Sequence, residues 1–354
     1  MFPAKPGHIR DHIVSMPPIY LDHAATTPLL PAARSAMQPG FDLWANPSSP
    51  HKAGRAARAA LEDARAGVKA ALGWEGELIF TSGASEALSL AITRCASPLM
   101  AVSAVEHEAV LRWAGDAVRL PVAAGGLVHL PDALAGLVAV QHVNNETGVI
   151  QPLNAIAAAI HAQGGLLLAD CAQSAGKIAL PPADLIAISA HKFGGPIGTG
   201  ALLVRDWAML KPTGGQERGY RGGTENLPGA MAMAAALEAG GDWLAQAARL
   251  RAMLDEGIAA IGGEVVAAAV PRLPTIAGYR MPGRSAIAQL IRFDGMGIAV
   301  SAGSACSSGS LKASPVLIAM GHPHPAEVIR VSLGRETTEA EIARFLSAWR
   351  EIKA

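Results

Sequence analysis

The sequence predicts an α/β fold in which helices cover a large, mostly parallel sheet, joined to a smaller α+β domain. Short, uniformly apolar runs alternate with amphipathic or alanine-rich stretches along the first two thirds of the chain. Runs of this kind are typical of parallel strands that are buried on both faces of a sheet. Beyond about residue 245 the apolar runs become shorter and lie between helical stretches, which indicates the smaller domain.

The predicted elements follow from this pattern in chain order. Strands are predicted at 78–80, 99–105, 137–143, 166–170, 185–189 and 201–205, and helices at 50–72, 85–96, 109–114, 153–162 and 227–246. Beyond them, a helix is predicted at 249–260, strands at 265–269, 298–301 and 328–332, and a last helix at 338–352. We therefore predict a large domain at 22–245 and a small domain that combines 1–21 with 246–354.

Composition excludes several classes of protein. Of the 354 residues 51% are hydrophobic and only 16% charged, so the chain can bury two cores and global disorder is excluded. The 29 basic residues balance the 29 acidic ones, so bulk charge predicts neither a nucleic-acid nor a membrane partner. No apolar run reaches the roughly 18 residues that span a bilayer, and the N-terminal stretch lacks the continuous apolar region of a signal peptide.

The cysteine content indicates the compartment. The three cysteines, Cys95, Cys171 and Cys306, are too few and too widely spaced for a disulfide framework or a metal site. We therefore expect no bound metal. Because chains without disulfides are typical of reducing compartments, we expect a cytoplasmic protein.

The most informative residues lie at the ends of two consecutive predicted strands. Asp170 ends the strand at 166–170, and Lys192 closes the stretch Ser-Ala-His-Lys that follows the strand at 185–189. The lysine amine can form a Schiff base with the aldehyde of pyridoxal phosphate, and the carboxylate can keep the pyridine nitrogen protonated. Ligands of parallel sheets lie at the carboxyl ends of the strands, so the sequence predicts a pyridoxal phosphate site there.

Two stretches could hold the phosphate of that cofactor. The first, 81–86, runs from a predicted strand into a helix, where backbone N–H groups and the Ser85 hydroxyl meet the positive helix end. A simple turn with Ser85 as the N-cap residue accounts for the same pattern equally well. The second stretch, 214–226, is rich in glycines that permit close backbone approach, and it contains the hydroxyl of Thr224.

A cysteine in a loop of small residues narrows the chemistry to sulfur. Cys306 lies in the stretch Ser-Ala-Gly-Ser-Ala-Cys-Ser-Ser-Gly at 301–309. With it, the chain resembles the cysteine desulfurases, class-V members of the fold-type I pyridoxal phosphate enzymes, from about residue 19 to residue 345. The resemblance rests on short motifs in a fixed order: YLDHAATTP (20–28), NPSS (46–49), TSG (81–83), EH (106–107), NNETG (144–148), SAHK (189–192), GQER (215–218), GTEN (223–226) and GSAC (303–306).

The resemblance implies a cofactor role for residues of these motifs. Lys192 would form the Schiff base, Asp170 would pair with the ring nitrogen, and His107 would stack on the ring and move protons. Gln173 would bond the ring hydroxyl. The phosphate would be held by Ala84, Ser85, Ser189 and His191 of the same chain. Thr224 of the partner subunit would complete the phosphate site in a homodimer.

The resemblance likewise implies the substrate and the product. Asn145, which also lies beside the cofactor, and Arg330 would receive the carboxylate of L-cysteine, a planar group that suits a bidentate guanidinium. Cys306 would attack the substrate sulfur and retain it as a persulfide, with L-alanine as the other product. The persulfide would pass to an acceptor protein for iron–sulfur cluster assembly or thiolation. Because the chain ends at Ala354 without the longer tail by which housekeeping relatives dock the scaffold protein, the acceptor stays open.

Three interpretations remain at this point. The favoured one is a group I-like cysteine desulfurase, because Cys306 follows Gly-Ser-Ala and not the histidine of the other branch. The second is an enzyme for another β-substituted amino acid, such as a selenocysteine lyase or an aminotransferase, which would tolerate the loss of Cys306. The third is a non-enzymatic protein that retains the fold, either a cofactor-binding partner or a sulfur carrier. The role of Glu106 is also open: it tunes the neighbouring imidazole of His107, or it is a solvated or capping carboxylate.

Overall fold

The computed structural model describes residues 17–131, 134–303 and 313–354, and a seven-stranded sheet forms its centre. In spatial order the strands are β2 (Glu77–Thr81), β8 (Gly200–Val204), β7 (Leu185–Ser189), β6 (Leu166–Asp170), β5 (Leu137–Ala139), β3 (Leu99–Ser103) and β4 (Val118–Leu120). β8 runs antiparallel to β2 and β7, and the other four pairs are parallel. The prediction of a mostly parallel sheet is therefore confirmed.

Helices cover both faces of this sheet. One face carries α1 (Pro31–Asp42), α2 (Lys52–Leu72), α5 (Leu153–His161) and α6 (Leu227–Glu238), and the other carries α3 (Ala84–Arg94) and α4 (Glu108–Leu111). Because successive side chains of a strand point to opposite faces, Ile186 and Ile188 of β7 pack against the first layer, and Leu185 and Ala187 pack against the second. This burial on both sides explains why the strands are uniformly apolar.

A second hydrophobic core lies among β-strands and helices of the remaining described residues. β9 (Glu264–Val265), β10 (Ile276–Arg280) and β12 (Val328–Ser332) make an antiparallel sheet, and β1 (Ile19–Tyr20) pairs in parallel with β11 (Ile298–Ala299). The helices of this part are α7 (Leu244–Ala260), α8 (Ala286–Gly295), α9 (Pro315–Ala319) and α10 (Glu339–Lys353). Phe293, Phe345 and Trp349 fill the core, and Leu21 is buried with them. The division of the chain at residues 22 and 245 stays a prediction.

Several local predictions are wrong, each for a physical reason. The helix predicted at 227–246 is two helices, α6 and α7, because the chain turns at Gly240, whose φ is 71°. Ser85 is not an N-cap residue, since α3 begins at Ala84 directly after Gly83. The apolar pattern also failed to predict α1, β4, β10, α8 and α9.

Within the described ranges, no helix is both long enough and apolar enough to cross a membrane. The same residues contain no cluster of three or more histidine, cysteine, aspartate or glutamate side chains that could bind a metal ion. Cys95 and Cys171 are free thiols buried in the large core.

Candidate active site

One cavity of about 810 Å³ lies at the carboxyl ends of β6 and β7. Of the predicted site residues, it brings together Ala84, Ser85, His107, Asn145, Asp170, Gln173, Ser189, His191, Lys192 and Arg330. Thr224 is exposed and does not line the cavity of its own chain. Cys306 lies outside the described residues, but Gly303 and Pro315, on either side of it in sequence, both line the cavity.

Lys192 is held at the cavity wall by the N-terminal segment. It ends a short 3₁₀ turn that follows β7 directly, so the end of the strand fixes its position. Its Nζ donates to the carbonyl oxygens of Ala24 and Ala25, at 2.7 and 2.8 Å. The Tyr-Leu-Asp-His-Ala-Ala motif therefore contributes backbone acceptors that orient the lysine amine.

Asp170 ends β6 and is a buried carboxylate of the cavity. Its Oδ1 accepts from the backbone N–H of Ala172 at 2.9 Å. Burial raises the pKa of Asp170, against the opposing effects of this N–H and of the charges of His107 and Lys192. A carboxylate in such surroundings is stabilised as an anion when a cation is placed against it.

His107 and Gln173 complete the wall around Asp170. The Nδ1 of His107 accepts from the backbone N–H of Ala109 at 3.1 Å, which fixes the orientation of the imidazole at the start of α4. The Nε2 of Gln173 donates to the carbonyl oxygen of Ala24 at 2.9 Å. The Oε1 of Gln173 is buried and has no hydrogen-bond partner in the structure, so a hydroxyl donor in the cavity would satisfy it.

Another part of the cavity wall suits an anion. There α3 begins with Ala84 and Ser85, so its unpaired backbone N–H groups and the positive end of its dipole face the cavity. Thr26 Oγ1 lies 3.1 Å from Nδ1 of His191. Burial, then the charges of Lys192 and Lys177, lower the pKa of His191 to about 4, so this imidazole is neutral at pH 7.

Arg330 lies in β12 and joins the second core to the cavity. Its Nη1 donates to the carbonyl oxygen of Asn145 at 3.1 Å, and its Nη2 donates to Oδ1 of Asp22 at 2.8 Å. The Nε of Arg330 is buried without a partner. The guanidinium is therefore fixed in place and retains donor capacity for a carboxylate.

Besides Asp170, the acidic residues that line the cavity include Asp22, Glu106 and Glu146, to which the sequence assigned no settled role. Glu106 is buried, with its Oε1 accepting from Ser103 Oγ at 2.6 Å and from the backbone N–H of Gln141 at 2.7 Å. The solvated alternative for Glu106 is therefore wrong. Burial raises its pKa to about 8. Each acid lies in a motif that was identified, but spacing alone gives no sign of its partner.

The fold, together with a lysine and a buried aspartate in one cavity at the ends of neighbouring strands, is that of a fold-type I pyridoxal phosphate enzyme. Residues 19–345 match the family model described as aminotransferase class-V. The chain is 38% identical to the cysteine desulfurase of Cereibacter sphaeroides, over 93% of its own length and 94% of the relative's. It is similar to the solved structure of a NifS-like protein from Rickettsia africae ESF-5, with a TM-score of 0.86 and 29% identity over 95% and 99% of the two chains.

A second solved structure, titled SspA in complex with cysteine, has a TM-score of 0.77 and 28% identity, over 90% of this chain and all of the other (100%). The chain therefore belongs to the aminotransferase class-V family and, within it, to the cysteine desulfurases. Enzymes of this family depend on pyridoxal phosphate.

The cavity fits that cofactor on three observations. The unpartnered Gln173 Oε1 suits a ring hydroxyl, and the buried Asp170 suits a protonated ring nitrogen. The beginning of α3 suits the phosphate. These three features lie around Lys192, whose amine would hold the aldehyde carbon.

Proposed function

We propose that this chain is a pyridoxal phosphate-dependent cysteine desulfurase that converts L-cysteine to L-alanine and transfers the sulfur to Cys306. The observation that carries the proposal is the arrangement of one cavity, in which Lys192 and Asp170 lie together and Arg330 supplies a carboxylate site in the same space. An amino acid whose carboxylate binds Arg330 can thus place its amino group at the lysine.

The residues that would hold the cofactor are those of the cavity. Lys192 would hold it covalently, Asp170 and Gln173 would contact the ring, and His107 would lie against its face. Its phosphate would contact Ala84, Ser85, Ser189 and His191. When bound, pyridoxal phosphate supplies an electron-withdrawing ring that stabilises negative charge next to the substrate amino group.

The other steps belong to side chains of this protein. Arg330 and Asn145 bind and orient the substrate carboxylate, and the amine of Lys192 and the imidazole of His107 move protons. The Cys306 thiolate forms a bond to the substrate sulfur while the bond between that sulfur and Cβ breaks. The electron pair remains on Cβ, which takes up a proton to become the methyl group of alanine. The thiolate must be generated during the reaction, because an ordinary thiol is only about 3% ionised at pH 7.

The proposal includes a homodimer and a sulfur acceptor. Thr224 is exposed and lies outside the cavity of its own chain, which supports a role for Thr224 of the partner subunit at the phosphate. The persulfide on Cys306 would be delivered to an acceptor protein in iron–sulfur cluster assembly or a thiolation pathway. A cytoplasmic location is consistent with a reactive thiol, because the cytoplasm is reducing.

The test is a product assay with L-cysteine under reducing conditions. We expect equimolar alanine and sulfide from the purified protein and neither product from Lys192→Ala or Cys306→Ala. Cys95→Ala is the matched control, because Cys95 is a buried thiol away from the cavity.

Two results would contradict the proposal. Lyase activity on selenocysteine, or transamination, that survives in Cys306→Ala would favour an enzyme for another β-substituted amino acid. A cofactor-bound protein without turnover on any amino acid would favour a sulfur carrier.

A further inference from the structure

Glu146 joins the cavity to the region that carries Cys306. Its side chain is buried, and its Oε2 accepts from the hydroxyl of Ser314 at 2.5 Å. Its backbone is fixed as well, because Asn144 Oδ1 accepts from the N–H groups of Glu146 and Thr147, both at 2.9 Å. Glu146 therefore lies in a fixed loop, and its carboxylate contacts Ser314, which is 168 positions away in sequence.

Ser314 is itself held on three sides. Its Oγ accepts from the backbone N–H of Leu317 at 3.0 Å and so caps α9, while its hydroxyl proton points to Glu146. Its third neighbour is Gly303, where an added Cβ would lie 3.3 Å from the Cβ of Ser314. Gly303 and Ala313 are the described residues on either side of Cys306, and Ser314 follows Ala313, so the two described ends lie close together.

The same point adjoins the substrate-carboxylate site. Ser301 pairs with Arg330, its N–H donating at 3.1 Å and its carbonyl oxygen accepting at 2.7 Å. Glu146, Gly303 and Arg330 also line a small cavity of about 10 Å³, so all three lie around one water-sized space. The charge of Arg330 opposes the rise in pKa that burial causes at Glu146.

We infer that Glu146 is a positioning residue: by accepting the hydrogen bond of Ser314, it holds the base of the Cys306 segment against Arg330. The described residues at the two ends of that segment are thereby held next to the arginine that would bind the substrate carboxylate. This inference rests on the proposed function, because it assumes that Cys306 accepts the substrate sulfur. It concerns the sulfur-transfer step, because the side chain of Glu146 is hydrogen-bonded to Ser314, at the end of the segment that carries Cys306.

The role requires a hydrogen-bond acceptor at residue 146 and a hydroxyl at residue 314. Glu146→Gln keeps an acceptor and Ser314→Thr keeps the hydroxyl, whereas Glu146→Ala and Ser314→Ala break the contact. A displacement of about 1 Å of a reacting group can cost on the order of a hundredfold in rate. We therefore expect persulfide formation on Cys306 to slow by roughly 10- to 100-fold in the two alanine variants and to stay close to wild type in the other two.

The experiment is a single turnover of the cofactor-loaded protein with L-cysteine, stopped by alkylation. Mass spectrometry of the peptide that contains Cys306 then measures the fraction that carries an additional sulfur atom. Cofactor content, read from the cofactor absorbance, should be unchanged in all four variants, and the binding constant of L-cysteine should be unchanged in the two Ser314 variants, which keep the charge of Glu146. Ser285→Ala is the matched control, because Ser285 caps α8 in the same way, far from the cavity. In the cofactor-free protein, Glu146→Ala should also speed amide exchange in a peptide covering 313–320.

The outcomes separate the inference from the proposed function. If the wild-type protein forms no persulfide, the proposed function fails. If it does, and the alanine variants match it, only the role of Glu146 is overturned. If Glu146→Gln is as slow as Glu146→Ala, the carboxylate acts through its charge or its proton, and the positioning role is also overturned.

Discussion

Arg330 and Asp22 form an ion pair across 308 positions of sequence, with Nη2 donating to Oδ1 at 2.8 Å. Their side chains are only 8% and 21% exposed, so the pair is largely shielded from water. Both line the cavity, and Asp22 is thus a carboxylate of the protein already placed on the arginine that would bind the substrate carboxylate. The pair orients the guanidinium and offsets its charge at the same time.

These two effects can be separated by substitution at residue 22. Asp22→Asn keeps an oxygen that orients Arg330 but removes the negative charge that repels an incoming carboxylate. We expect the KM for L-cysteine to fall about tenfold in Asp22→Asn, because nearby charges in a partly buried site interact by kilocalories per mole. Asp22→Ala, which also removes the acceptor, should raise the KM. Steady-state kinetics measure both, and a higher KM in Asp22→Asn would show that Asp22 only orients.

Glu106 predicts a pH dependence of stability in the cofactor-free protein. Burial raises its pKa from 4.5 to about 8. Below pH 4.5 the carboxyl group is protonated in both the folded and the unfolded state, so its full contribution to the free energy of unfolding is present. Between these values only the unfolded carboxylate loses its proton, so the free energy of unfolding falls as pH rises, by about 1.4 kcal/mol per pH unit. Above about pH 8 the loss is complete.

Glu106→Gln removes this titration while keeping an acceptor for Ser103 and Gln141. We expect the variant to be more stable than wild type near pH 8 and equal to it near pH 4.5, as followed by urea unfolding. A stability difference that does not change with pH would contradict the assignment of the proton to Glu106.

The buried ion pair of Arg65 and Glu217 predicts a large loss of stability on truncation. Arg65 Nη1 and Nη2 donate to the two carboxylate oxygens of Glu217 at 2.8 and 3.0 Å, and the N–H of Phe80 donates to the same group at 2.9 Å. Glu217→Ala removes the buried counter-charge and leaves Arg65 only Glu62, which is 36% exposed, so the free energy of unfolding should fall by about 3 kcal/mol.

The exposed pair of Arg292 and Glu351 provides the control for Glu217→Ala. Its atoms are 3.9 Å apart and its side chains 57% and 68% exposed, so Glu351→Ala should cost less than about 1 kcal/mol. Urea unfolding of both variants makes the comparison, and equal losses would show that burial does not govern the effect.

The sequence predicted those parts of the fold that local pattern controls. β6, β7 and β12 lie at the predicted residues, because each is an apolar run of strand length that ends at a turn. α1 was missed because it contains Pro39 and Gly40, which normally break helices. Its formation depends on packing against α6, where an added Cβ on Gly40 would lie 2.7 Å from the Cα of Pro228. Sequence alone does not reveal such a contact.

The site residues also fall into two groups, those that the sequence predicts and those that only the fold brings together. Lys192 and Asp170 could be predicted because both follow strands of one parallel sheet, whose ends meet at one edge. Other contacts join segments that are distant in sequence, so only the fold brings them together. These are the contacts of Arg330 with Asp22 and of Ser314 with Glu146. Asp22 and Glu146 therefore gained their roles from the structure, whereas Asp170 was predicted from the sequence.

Thr224 offers the sharpest test of the proposed dimer. The loop that contains it is fixed at Glu217 and again at Arg221, whose Nε donates to Glu86 at 2.8 Å, yet Thr224 itself is exposed. If Thr224 of the partner subunit binds the phosphate, Thr224→Val removes a hydrogen bond to a charged group. Such a bond contributes about 1.5–3 kcal/mol, so cofactor affinity should fall roughly 10- to 100-fold.

Mixed dimers decide which chain supplies that hydroxyl. One subunit carries Lys192→Ala and the other Thr224→Val, and the sites able to trap cofactor by borohydride reduction are counted at limiting pyridoxal phosphate. If Thr224 acts across the interface, both substitutions fall in one site, and the other site keeps wild-type affinity. If Thr224 acts within its own chain, no site of the mixed dimer is intact. The first outcome requires that each active site of the dimer be built from two chains.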